Sequence, residues 1–92
     1  MIVRIATESQ YRLPDEDAER LNELDNAAVA AVEAGDEDGF HTVFEQMLEL
    51  VRRDGTPLGE DELEESDVIL PPPDLSFVEA AAEFSGEGLI PD

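Results

Sequence analysis

The sequence predicts an α+β fold: a small antiparallel sheet, built from an N-terminal β-hairpin and a short third strand, packed on an αα-hairpin, with a short C-terminal helix. Three observations predict it. Apolar residues alternate with arginine on either side of a polar triplet near the start. Two long stretches with helical spacing meet at one glycine, and a short apolar run is stopped by three consecutive prolines. The order β-β-α-α-β-α places the helices on one side of the sheet.

Residues 2–13 read as the hairpin. Val3 and Ile5 flank Arg4, while Tyr11 and Leu13 flank Arg12, the period-two alternation of half-buried strands. Thr7, Glu8 and Ser9 supply the polar connection. With Val3, Ile5, Tyr11 and Leu13 turned to the core, Arg4 and Arg12 share the outer face.

Pro14 ends the second strand because it cannot donate to a ladder, and it is compatible with a helix start. Asp15, Glu16 and Asp17 set negative charge at the positive end of a helix dipole. Leu21, Leu24, Ala28 and Val32 follow at helical spacing, and Gly35 suits the left-handed residue that closes a helix, so the first helix covers residues 15–34. Asp36 then caps a second helix, with Glu37 and Asp38 in its first turn. Phe40, Val43, Phe44, Met47, Leu48 and Val51 give that helix a broad apolar face, which Leu50 widens. Arg52 and Arg53 complement its negative end before Gly55 and Pro57 stop it. So short a break between the two makes them antiparallel neighbours.

Residues 56–66 read as an acidic loop. Val68-Ile69-Leu70 reads as a third, edge strand, ended by Pro71-Pro72-Pro73, which cannot lie within a ladder. Ser76 and Glu79 form a capping box, and Leu75 can staple onto Ala80. Phe77, Ala80, Ala81 and Phe84 stripe a short third helix ending near Gly86. No repeat or flexible linker interrupts the chain, which reads as one domain over residues 1–92.

Charge is the dominant compositional fact. Twenty-five acids face five cations, all of them arginine, for a formal net charge of −20. That much like charge repels itself in dilute buffer and is relieved when salt shortens the Debye length to about 3 Å, near 1 M. Acid enrichment without lysine is what a salt-rich, halophilic cytoplasm selects. The same charge opposes direct binding to a nucleic-acid backbone or an anionic membrane. With no cysteine there is no disulfide, thiolate nucleophile or thiolate metal site. The start lacks a charged leader followed by a long apolar run, and the longest strongly apolar stretch, residues 27–32, is far below the ~20 residues that span a bilayer. A cytoplasmic location is expected.

Candidate chemistry is sparse. His41 has no second histidine or cysteine for a zinc site and no evident nucleophile, and reads as a surface residue. Asp36-Glu37-Asp38-Gly39 brings glycine two positions too early for a calcium loop and is better explained as a helix cap. The acids of residues 60–65 read as a solvated face. No catalytic, cofactor or metal site is therefore expected, and an enzyme is not. Arg4 and Arg12 are the positions able to grip a partner's carboxylates bidentately, unless they only pair with neighbouring acids. Val43 and Leu50 widen the second helix beyond what the first covers; packing beneath the sheet, which a core of this size requires, is the favoured account of them, and any exposed remainder reads as a protein-binding groove.

The chain resembles the PspA-associated PspAA family, in a haloarchaeal-type form. The resemblance rests on Met1-Ile2-Val3-Arg4-Ile5, Gln10-Tyr11-Arg12-Leu13, Leu21-Asn22-Glu23-Leu24-Asp25, Gly55-Thr56-Pro57-Leu58, Asp61-Glu62-Leu63, Ser66-Asp67-Val68-Ile69-Leu70-Pro71-Pro72 and Gly88-Leu89-Ile90-Pro91. Ser9 departs from the glycine expected before Gln10-Tyr11, which leaves the turn type open. The resemblance implies a non-enzymatic cytoplasmic adaptor or regulator. Its partner would be a PspA-like, helical, membrane-associated protein of the ESCRT-III-like class, acting in the envelope stress response. It supplies no catalytic residues. An acidic nucleic-acid mimic that inhibits a basic DNA-binding protein is the alternative, motivated by the charge alone.

Overall fold

The structure, a computed structural model, describes residues 1–62 and 64–84. Its elements are β1 (Ile2–Ile5), β2 (Gln10–Arg12), α1 (Asp15–Glu33), α2 (Glu37–Asp54), β3 (Thr56–Pro57), a 3-10 turn (Glu60–Glu62), β4 (Val68–Leu70) and α3 (Phe77–Glu83). The α+β class and the helical hairpin are as the sequence predicts. The sheet, however, is mixed, in the order β3-β2-β1-β4, and not antiparallel throughout.

Two features of the chain path produce the difference. Thr56 and Pro57, expected in a loop, pair with Arg12 and Tyr11 as an antiparallel edge strand. Proline is tolerated there because an edge position does not need its N–H. From β3 the chain returns across the outer face of the sheet and enters β4 in the same direction as β1, with Val3 beside Val68 and Ile5 beside Leu70. Asp67 secures the entry, donating its N–H to Ile2 O at 2.8 Å and accepting the Ile2 N–H on Oδ2 at 2.7 Å.

The hairpin pairs Val3 with Tyr11 and Arg4 with Gln10. Its turn is closed by the Glu8 N–H on Ile5 O at 2.8 Å, and the residue in the left-handed region is Thr7, at φ 69°. Helix α1 ends in a Schellman arrangement: the Asp36 N–H reaches Ala31 O at 2.8 Å, and the Gly35 N–H reaches Val32 O at 3.1 Å. Gly35 carries the left-handed φ of 71° that this requires. Asp36 Oδ1 caps α2 through the Gly39 N–H at 3.0 Å, and Ser76 and Glu79 form the expected capping box. Gly55 closes α2 for a steric reason, since a Cβ there would lie 2.4 Å from Val51 O and 2.9 Å from Tyr11 Cβ. The expected helix end near Gly86 lies outside the described residues.

The inner face of the sheet contributes Val3, Ile5, Leu13, Val68 and Leu70 to the core, against Leu21 and Leu24 of α1 and Met47 and Val51 of α2. An aromatic cluster seals the end nearest α3. Phe40 stacks on Phe44 at 5.6 Å and meets Phe84 edge-on at 5.2 Å and Phe77 at 6.1 Å. Fully burying each such ring stabilises by roughly 1.5–3 kcal/mol, which gives α3 its anchor.

Candidate protein-binding surface

Period-two alternation sends Ile2, Arg4, Gln10, Arg12 and Ile69 to the outer face of the sheet, opposite the helices. Arg4 and Arg12 therefore share that face, as the sequence predicts, but their surroundings differ. The β2 half is covered by the returning chain. Gln10, only 3% exposed, donates from Nε2 to Glu64 O and to Ser66 Oγ, each at 2.6 Å, and accepts the Glu64 N–H on Oε1 at 3.2 Å. Arg12 adds a surface ion pair to Glu64 at 2.8 Å. These bonds use Glu64 and Ser66 to pin the loop, a role that reading residues 60–65 as a hydrated run did not assign.

Toward β4 the face opens at Ile69, while Ile2 on β1 is buried. Arg4 stands beside Ile69 in the parallel register, and Ile69 is 59% exposed. The other four arginines are paired: Arg12 with Glu64, Arg20 with Glu23, Arg52 with Glu8 and Arg53 with Asp54. Arg4, half-buried, has no ion pair or side-chain hydrogen bond among the described residues.

The helix-two candidates lie elsewhere. Val43 is half-buried against the core. Leu50 is 5% exposed and lines, with Leu24, a shallow groove of about 180 Å³ between α1 and α2, whose rim carries Arg20, Gln46, Glu49 and Arg53. Packing thus accounts for Leu50, and Arg4, Arg12 and Leu50 do not converge on one site. His41 lies edge-on to Phe40 at 5.5 Å, with Glu37 at 3.9 Å one turn back, half-exposed on α2.

Among the described residues, two carboxylates are perturbed where the start of α1 meets the end of α2. Partial desolvation, followed by the charge and hydrogen bond of Asp54, raises the Asp17 pKa above the usual carboxylate range. The Arg53 hydrogen bond and charge, aided by Asp17, hold Asp54 below that range. The guanidinium of Arg52 is raised by its hydrogen bond to Glu8.

Two residues that shape this face carry no local sequence signature. The Gln10 amide and the Asp67 carboxylate act on backbone far away in sequence, so no local pattern marks them. Ile69 was legible: in a strand whose neighbours Val68 and Leu70 face the core, alternation turns it outward.

A four-stranded mixed sheet with a helical hairpin on one face, and with Arg4 and the exposed Ile69 on the other, defines a small α+β domain. Among the described residues, no group of three or more histidine, aspartate or glutamate side chains could hold a metal ion. No helix among them is long and apolar enough to cross a membrane. The chain matches the model of the PspA-associated protein family, PspAA, over residues 1–92, and it belongs to that family. No curated protein and no solved structure gives a match.

Proposed function

We propose that this chain is a non-enzymatic cytoplasmic adaptor or regulator that binds a PspA-like protein in the envelope stress response. The observation that carries the reading is the family match over residues 1–92, since a family named for association with PspA implies a protein partner. The open strip of Arg4 and Ile69 supports it by offering an apolar contact next to an unengaged guanidinium. The −20 charge supports a partner that is a protein and not lipid or nucleic acid, because both of those backbones are themselves anionic. The test is affinity purification of the tagged chain from native extract in molar KCl. Reproducible enrichment of a PspA-like protein is expected, and its repeated absence would remove the proposal.

A further inference from the structure

We infer that β4 is a docking edge, on which an extended segment of the partner adds as a fifth strand and sets a glutamate against Arg4. The inference rests on the proposed function for the partner's identity, and on three observations for the mode. First, β4 is the last strand of the sheet on its side, with no further strand beyond it among the described residues. Leu70 directs its carbonyl inward to the Ala6 N–H at 2.9 Å, so alternation turns the N–H and C=O of Ile69 away from β1 toward the open edge. Second, edge strands are ordinarily guarded by an outward charge. Here the outward residue at the centre of β4 is Ile69, 59% exposed, and the carboxylate of Asp67 is turned in to the Ile2 N–H. Third, Arg4 is the one arginine left without an ion pair among the described residues, and it stands directly beside Ile69.

Together these specify the occupant. An added strand would run about 4.8 Å beyond β4 and about 9.6 Å from β1. Arginine and glutamate together bridge that distance across the flank of Ile69, the glutamate with more reach to spare than an aspartate would have. The segment therefore carries an apolar residue packed on Ile69 and a glutamate on the same face, one of the recurring modes of peptide recognition. Pro71 ends the usable edge, so the added strand stays short and does not propagate into a fibre.

The experiment measures binding of the PspA-like protein recovered with the wild-type chain, in molar KCl, to four purified variants. Ile69→Pro removes the outward N–H but no bond to β1, and Arg4→Glu reverses the charge. Each is expected to weaken binding by about tenfold or more, while Ile69→Val stays within about threefold of wild type. The fourth, Val78→Asp, alters the other large exposed apolar residue among the described residues, on α3, and should bind as wild type. Thermal unfolding of each variant excludes misfolding as the cause. Amide exchange supplies a second readout: the Ile69 amide should exchange freely in the unbound chain and become protected in the complex. Wild-type affinity in both Ile69→Pro and Arg4→Glu, with an unprotected Ile69 amide, would overturn the inference and leave the partner assignment standing. A chain that dimerises through β4, losing the dimer but not the partner on Ile69→Pro, would also overturn it. Failure of the wild-type chain to bind any PspA-like protein removes the functional reading and this inference with it.

Discussion

The side chain of Gln10 holds the backbone of Glu64 on both sides, donating to its carbonyl at 2.6 Å and accepting its N–H at 3.2 Å. An amide side chain here does what a strand partner would do, and the outer face of β2 gains a cover without a further ladder. Replacing Gln10 by alanine leaves both Glu64 groups unmatched beneath the loop. The expected cost is about 1–3 kcal/mol. For a chain of 92 residues each kcal/mol lowers the thermal midpoint by roughly 4–8 °C. A midpoint within 2 °C of wild type, allowing ~1 °C for measurement, would show that the clamp contributes nothing.

Thr7 occupies the left-handed region that a β-branched residue resists. Thr7→Gly relieves the strain and should stabilise the chain by about 0.5–1 kcal/mol, read from denaturant midpoints at constant slope. Destabilisation would mean that the threonine side chain serves the turn in some further way.

The two carboxylates at the end of the helical hairpin make a prediction about pH. Asp54 is held below the usual range, so its contribution to stability is present above the unfolded-state pKa and is lost as pH falls through the folded value. Asp17 is raised, so it costs stability once pH climbs from its unfolded value through its folded one, and the cost is complete at neutrality. Asp17→Asn should therefore raise the midpoint at pH 7, while Asp54→Asn should lower it and bring Asp17 back toward its ordinary value. Carboxyl-carbon NMR titration checks both, and an Asp17 that titrates below Asp54 would contradict the arrangement.

Phe40 and Phe84 meet edge-on at 5.2 Å in the middle of the aromatic cluster. Phe40→Leu should cost up to about 1.5 kcal/mol, since volume is largely kept. A double-mutant cycle with Phe84→Leu should return a coupling of about 0.5–1.5 kcal/mol. Strict additivity would imply that α3 docks independently of α2.

The −20 charge predicts a strong salt dependence. Between dilute buffer and molar KCl the midpoint should rise by more than about 8 °C, the equivalent of roughly 1–2 kcal/mol. A flat response would separate the acidity from any adaptation to salt.

Local chemistry made the helices legible. Gly35, Asp36 and the Ser76–Glu79 box each act within a few residues of where they stand, and the structure uses each as its position suggests, whereas Arg52 reaches across to Glu8 in the hairpin turn. The strand pairing beyond the hairpin was not legible, because Pro57 reads as a breaker until β2 is known to lie beside it. The direction of β4 depends on a crossing held by Gln10 and Asp67, whose partners are more than fifty residues away. For the candidate surface, the two arginines were found from scarcity of positive charge. Which of them is engaged depended on Glu64, which sequence spacing does not bring near Arg12.

The bond from Ile2 to Asp67 spans 65 residues, and that interval has a consequence during synthesis. At a translation rate of roughly 5–20 residues per second, β1 is made some 3–13 s before the strand that will flank it. For that time β1 lacks its β4 neighbour, while α1, α2 and β3 are made. β4 arrives only after both helices of the hairpin, and a ribosome stalled before residue 67 would hold a chain whose sheet cannot close.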